Sequence, residues 1–71
     1  MEIRELVSSN MNKAAHDGRD LFIGFNSGTT YKYDSVPYSV FDQMCKAESA
    51  GKFFHKFVKG TYTYSKSCDP E

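Results

Sequence analysis

Two alternating segments around a turn signal determine the predicted fold, and they lie in the stretch Leu21-Phe22-Ile23-Gly24-Phe25-Asn26-Ser27-Gly28-Thr29-Thr30-Tyr31-Lys32-Tyr33. Leu21, Ile23 and Phe25 recur at the period of two that is typical of a strand with one buried face. Asn26-Ser27-Gly28 places glycine where a type I turn followed by a left-handed residue closes a three-residue loop. The stretch therefore predicts a β-hairpin.

The length of this loop decides where the two tyrosines of the second strand point. A three-residue loop puts Ile23 opposite Tyr31 and Leu21 opposite Tyr33, so both tyrosines share the aliphatic face and belong to the core. A loop of two or four residues reverses the parity, and the tyrosines then join Phe22 on the other face as a platform for stacking bases. The core alternative is favoured, because it offers a helix a continuous apolar surface to cover.

The segments around the hairpin complete a small α+β prediction. His16-Asp17-Gly18-Arg19 contains the Asp-Gly pair that type I′ turns prefer, and it predicts an earlier hairpin. The result is a three-stranded antiparallel meander with strands Asn10–His16, Asp20–Phe25 and Thr29–Tyr33. Residues 61–64 alternate like a brief strand, residues 65–71 are expected to fray, and residues 1–9 are ambiguous between a helical turn and a strand.

Two helices are predicted after the meander. Asp34-Ser35-Val36-Pro37 is typical of a helix start, and the main helix is expected to run from Pro37 to Glu48 before Gly51 ends it. A second, short helix from Lys52 to Lys59 is amphipathic and basic. The two-residue period of the strands and the 3.6-residue period of the helices together predict a core. Its members are Leu21, Ile23, Phe25, Tyr31, Val40, Phe41, Met44, Phe53 and Phe57.

Length and composition exclude several classes of protein. With 71 residues the chain is expected to be a single domain, 1–71, with its core in about residues 8–62, and 39% hydrophobic residues are too many for a disordered chain. Nine basic and nine acidic residues exclude a basic coat over the whole surface. The longest apolar run has five residues and no signal peptide is recognisable, so we expect a cytoplasmic protein without a membrane span.

Charge is unevenly distributed along the chain. Residues 52–67 hold four lysines and no acid, whereas residues 1–51 hold five basic and seven acidic residues. Lys52, Lys56 and Lys59 lie at helical spacing and can each neutralise a phosphate, with Tyr62 and Tyr64 nearby as stacking surfaces. The alternatives are a solvated helix face that keeps the protein soluble, and burial of both tyrosines.

Residues that often carry catalysis have structural interpretations here. Cys45 is expected to be a core residue and Cys68 an accessible thiol in the tail, with no disulfide between them. His16 and His55 are expected to face solvent, and their spacing gives no metal site. Asp17 and Asp20 flank a turn that they are expected to shape. We therefore expect no enzyme, no metal and no cofactor.

A resemblance covers nearly the whole chain, about residues 8–62. Its residues are Ser8-Ser9, Leu21-x-Ile23-x-Phe25, Gly28, Tyr31-x-Tyr33, Val36-Pro37, Phe41, Ala47-x-Ser49-x-Gly51 and Phe53-Phe54. The sequence resembles the KTSC domain, named for the C-terminal extension of some lysyl-tRNA synthetases. The resemblance implies a small bacterial or phage protein or a synthetase appendage, a suggested role in RNA binding, and no catalytic residue.

Two functions from different classes follow as expectations. The first is an RNA- or tRNA-binding module that uses Lys52, Lys56, Lys59, Tyr62, Tyr64 and Lys32. The second is a protein-interaction module, such as a phage or bacterial effector that binds a host protein in the host cytoplasm, which uses Phe22, Lys13 and Lys32.

Overall fold

The computed structural model describes residues 2–67 as a five-stranded antiparallel sheet with its helical segments packed on one face. Strand order follows the chain. The elements are β1 (Glu2–Glu5), β2 (Met11–His16), β3 (Leu21–Phe25), β4 (Thr30–Tyr33), α1 (Tyr38–Lys46), α2 (Ala50–Phe53), a π-helical turn (Phe54–Val58) and β5 (Tyr64–Ser67). The α+β class is confirmed, and the three-stranded meander is wrong because a strand is added at each edge.

The two extra strands come from segments whose pattern is weak. Within the ambiguous residues 1–9, Glu2–Glu5 form a strand, β1, which pairs with β2 from Glu2↔His16 to Glu5↔Lys13. β5 pairs with β4 and begins at Tyr64, so Ser65–Ser67 are ordered rather than frayed. Both edge strands are largely exposed, and backbone pairing rather than apolar alternation holds them. The rest of the predicted frayed tail, residues 68–71, lies outside the described residues.

The hairpin between β3 and β4 has the predicted three-residue loop. The Phe25 backbone N–H donates to Thr29 O at 2.8 Å, and Gly28 has a φ of 93°. Leu21 therefore faces Tyr33 and Ile23 faces Tyr31, which places both tyrosines on the core side. Tyr33 is buried and Tyr31 half-buried, so the pair is not a platform on the outer face.

The first hairpin turn differs in type from the prediction. Gly18 has a φ of 100°, and Asp17 is not among the residues with positive φ. The turn therefore has Gly18-Arg19 as its centre, with positive φ only at the first position, as in type II′ rather than type I′. Asp17 Oδ1 accepts backbone hydrogen bonds from Arg19 at 2.9 Å and Asp20 at 2.7 Å, so this carboxylate shapes the turn as expected.

The helical region is divided at an earlier position than predicted, and it ends at Val58 rather than at Lys59. α1 ends at Lys46, two residues before the expected end at Glu48. The next residue, Ala47, is extended with a ψ of 148°. Gly51 lies inside α2 and does not terminate a helix, and a Cβ there would come within 3.3 Å of Ser8 Oγ. Glycine therefore lets the β1–β2 loop approach the helix closely.

The helix widens before it stops. The Lys59 backbone N–H donates to Phe54 O at 2.9 Å, the i→i+5 bond of a π-turn. In an α-helix Phe54, Phe57 and Val58 would share one face, whereas here Phe54 and Val58 are buried and Phe57 is 48% exposed. The prediction that Phe57 belongs to the core is therefore wrong.

The core lies between the helices and the inner face of the sheet. Of the predicted residues, Leu21, Ile23, Phe41 and Met44 are buried, and Phe25, Tyr31, Val40 and Phe53 are half-buried against them. The remaining buried members of this cluster are Met11, Ala14, Tyr33, Val36, Phe54 and Val58. No helix within residues 2–67 covers the outer face of the sheet, so this part of the chain has two chemically different sides.

Candidate nucleic-acid interface

Among residues 2–67, the lysines from α2 to the end of the π-turn differ from most other cations in having no carboxylate partner. Lys52, Lys56 and Lys59 are exposed, and within residues 2–67 none has a carboxylate oxygen within 4.0 Å. Carboxylates do pair with Arg4, Arg19, Lys32 and Lys46. The helix therefore presents ammonium groups that a phosphate can approach without displacing an acid.

The π-turn divides the predicted lysine stripe between two depressions. Lys52 and Lys56 line a groove with the rings of Phe53 and Phe57, whose centroids are 4.7 Å apart. The Lys56 ammonium lies 5.4 Å from the centroid of Phe57. Lys59 lies instead on a separate cleft. The structure thus keeps all three lysines on the helix side of the molecule but not in a single groove.

The cleft beside Lys59, here called the aromatic cleft, lies between the π-turn and the inner face of β3, β4 and β5. Its lining consists of Asn10, Phe25, Tyr31, Tyr33, Phe54, His55, Lys59 and Tyr64. The Tyr64 ring meets Tyr31 edge to face at 5.3 Å and is tilted against Tyr33 at 5.4 Å. Burial raises the pKa of Tyr33 to about 12, so its phenol stays protonated at neutral pH.

A polar groove connects these two depressions. It is formed by residues 7–10 of the β1–β2 loop and residues 48–52 and 55 around α2. Lys52 also lines the phenylalanine groove, and Asn10 and His55 also line the aromatic cleft. Asn26 Nδ2 donates to Ser9 O at 3.2 Å and fixes the loop. A continuous path therefore runs around the helix from Lys56 to Tyr64.

Two of the predicted RNA-contact residues lie away from this path. Tyr62 is half-buried against the core, so it is only partly available for stacking. Lys32 pairs with Phe22 across β3 and β4 on the outer face, and its ammonium is 3.8 Å from Asp34 Oδ1. Tyr64, by contrast, is 61% exposed and lines the aromatic cleft.

The outer face brings together the residues of the protein-interaction alternative. Phe22 lies opposite Lys32 and Ala15, and Lys13 lies opposite Gly24 one row away. The Lys13 side chain covers Gly24, where a Cβ would come within 2.9 Å of Lys13 Cγ. Phe22 is half-buried rather than fully exposed. The three predicted residues therefore share one face, on the opposite side of the sheet from the helix lysines.

The residues weighed for catalysis differ in their burial. His16 is buried, contrary to the expectation of exposure, because it lies on the inner face of β2 against Phe41, with the ring centroids 5.6 Å apart. His55 is exposed as expected. Cys45 is half-buried against the core, and desolvation raises the pKa of its thiol. Cys68 lies outside the described residues.

Within residues 2–67, no three His, Cys, Asp or Glu side chains lie close enough together to hold a metal ion. The same part of the chain contains no helix long and apolar enough to cross a membrane.

Comparison with known proteins places the chain in a family. The sequence pattern of the KTSC domain matches residues 7–62. The chain is a member of the KTSC domain family. A crystal structure of a KTSC domain protein from Yersinia pestis superposes with a TM-score of 0.83 at 29% identity, over 93% of this chain and 96% of that one. The five-stranded KTSC fold described here is therefore shared with that protein.

Relatives of this KTSC domain include both long and short proteins. Lysine–tRNA ligases of Trichormus variabilis and Nostoc punctiforme are each 43% identical over 44 residues, or 62% of this chain. That match spans only 8% of the length of each ligase. A protein of Tsukamurella paurometabola is 41% identical over 59 residues, which cover 80% of this chain and 88% of that protein.

Sequence reasoning missed most of the aromatic cleft and the polar groove. Phe25, Tyr31 and Phe54 were visible only as apolar residues, and nothing local shows that their packing leaves a cleft. Lys66 was noticed only for its charge, yet its pairing with Tyr31 puts it on the inner face. A strand prediction extended to residue 67 would have placed Lys66 beside the tyrosines.

Proposed function

We propose that this KTSC domain is a small binding module for single-stranded RNA, which it holds along the helix side. The observation that carries the proposal is the set of lysines without carboxylate partners in residues 2–67, beside an open aromatic cleft. Lysines supply phosphate contacts and aromatic rings supply stacking, the two components of single-strand binding. The groups lining the cleft suit binding rather than catalysis, and a cytoplasmic location, in a bacterium or in the host of a phage, fits such a ligand.

The shape of the surface favours single strands over duplexes. The path curves around one helix and ends in a cleft, whereas duplex RNA is recognised across a wide minor groove by extended surfaces. Aromatic side chains reach bases only where those bases are unstacked. Kinship with segments of two lysine–tRNA ligases is further support, since those enzymes act on an RNA that has unpaired loops and ends.

Charge-removing variants test this proposal. Fluorescence anisotropy with a labelled single-stranded oligoribonucleotide should give a slope of log affinity on log salt of about −2 for three phosphate contacts. Lys52→Gln and Lys56→Gln should each weaken binding and flatten that slope by about 0.7.

The matched control is Arg19→Gln, which removes the same charge from the tip of the first hairpin, at the opposite end of the sheet from Lys52. It should leave the slope unchanged, since its guanidinium lies off the path. Equal losses for Arg19→Gln and Lys52→Gln would show nonspecific attraction only, and no binding at about 50 mM salt would refute the proposal.

A second candidate is protein binding through the outer face. It is favoured by the position of Phe22 and the 40% exposed Ile3 on a sheet face that no helix covers. A partner bound there should survive nuclease and raised salt, and it should be lost in Phe22→Ala.

A further inference from the structure

The aromatic cleft has the dimensions of a site for one planar ring. Its volume is about 220 Å³, below the roughly 300 to 1,000 Å³ of typical pockets for drug-sized ligands. The ring centroids of Phe25 and Tyr31 are 5.6 Å apart with an interplanar angle of 72°. Those of Tyr33 and Phe54 are 5.4 Å apart with an interplanar angle of 81°. These edge-to-face contacts fix the rings against one another. The Tyr64 ring closes one side of the cleft and is the most exposed of these rings.

The charge around the cleft selects the kind of ring. His55 and Lys59 lie on its edge, and no acidic side chain is among its described lining residues. A cationic ligand would find no counter-charge there, whereas a ring attached to a phosphate would meet the Lys59 ammonium. Lys66 is exposed on the edge strand β5, in register with Tyr31.

Asn10 adds a polar group of fixed position. Its Oδ1 accepts from Ser8 Oγ at 3.1 Å, and within residues 2–67 its Nδ2 donates no hydrogen bond. The Asn26 backbone N–H donates to Asn10 O at 2.9 Å and holds this residue at the mouth of the cleft. An amide at this place can donate to a carbonyl on the edge of a base.

We propose that the aromatic cleft captures one unpaired nucleobase, stacked against Tyr64, with the adjoining phosphate at Lys59. This inference rests on the proposed function, because it assigns a subsite on the same RNA path. It predicts that binding requires at least one unstacked base and not merely a run of phosphates.

The test uses a single-stranded oligoribonucleotide that carries one 2-aminopurine. Anisotropy reports binding of the strand, while 2-aminopurine emission reports stacking of the base on an aromatic ring. We expect binding to change the emission at a subset of 2-aminopurine positions. Tyr64→Leu should abolish that change and weaken binding roughly 5- to 150-fold, the range of one base–aromatic stack. Tyr64→Phe, which keeps the ring, should retain both.

The outcomes separate this inference from the proposed function. If anisotropy shows salt-dependent binding but the 2-aminopurine emission does not change, and if Tyr64→Leu binds as tightly as the wild type, base capture is overturned. RNA binding itself would then still stand. Absence of any anisotropy change would overturn both. Lys59→Gln gives an independent check that does not depend on the tyrosine, and it should reduce affinity and the emission change together. Its side chain is exposed, so the fold is expected to tolerate the change.

Discussion

His16 shows how a single residue departs from its usual surface position. It ends β2 next to a turn, where the sequence predicts exposure, yet it is only 2% exposed. The Gly18 backbone N–H donates to its Nδ1 at 3.0 Å, so the ring proton is on Nε2, which donates to Val36 O at 2.6 Å. One side chain thus satisfies a buried carbonyl and closes the hairpin turn.

Replacing this histidine should be costly although a similar ring is kept. His16→Phe leaves the buried Val36 carbonyl without a donor, and we expect a loss of about 1 to 3 kcal/mol in the free energy of unfolding. Urea denaturation measures this difference. The control is His55→Phe, at an exposed position, which should change little. Equal midpoints for wild type and His16→Phe would show that these hydrogen bonds are unimportant.

Phe41 is the largest fully buried side chain of the described residues. It is fully buried on α1, with the Arg4 guanidinium 5.0 Å from its ring centroid. Phe41→Ala should cost about 3 to 5 kcal/mol, which lowers the melting temperature of so small a domain by more than about 12 °C. Circular dichroism melts measure it, with Phe41→Leu as a milder control. A shift of a few degrees would contradict the packing described here.

At the scale of elements, the π-turn controls which side chains are buried. Val58 is fully buried and Phe57 is 48% exposed, although an α-helical period would bury both. Val58→Ala should therefore cost about 2 kcal/mol and Phe57→Ala clearly less, even though phenylalanine is the larger side chain. Paired urea titrations of the two variants decide the order. A greater loss for Phe57→Ala would place that residue in the core and exclude the wide turn.

The elements that the sequence predicts well are those with a strong local signal. The length of the Asn26-Ser27-Gly28 loop determines which residues of β3 and β4 share a face of the sheet. Glycine at the left-handed position specifies that length. β1 and β5 carry no such signal, since their backbones are held by neighbouring strands distant in sequence. The π-turn was equally hidden, because an i→i+5 bond depends on what the helix packs against.

The same limit applies to the candidate site. Lys52, Lys56 and Lys59 were found from their spacing and from the absence of acids, which are local properties. The aromatic cleft joins Asn10, Tyr31, His55 and Tyr64 from four separate segments. No local pattern shows that such residues meet, so only the three-dimensional fold reveals the cleft.

At the scale of the whole molecule, the sheet separates two different surfaces. The helix side carries the aromatic cleft and the lysines that have no carboxylate partner in the described part of the chain, and the outer side carries Phe22 with Lys13 and Lys32. The protein has no formal net charge, so attraction of RNA has to come from this local arrangement rather than from a general positive field. RNA bound on the helix side and RNA bound on the outer side would therefore contact different aromatic rings.

Aromatic side-chain NMR distinguishes the two sides, because the rings of Tyr64 and Phe22 report opposite faces. The protein is titrated with a single-stranded oligoribonucleotide at about 50 mM salt, where phosphate contacts are strong. We predict shifts of the Tyr31 and Tyr64 ring signals and none of the Phe22 ring signals. Shifts confined to Phe22, or no shift of any ring, would contradict RNA binding on the helix side.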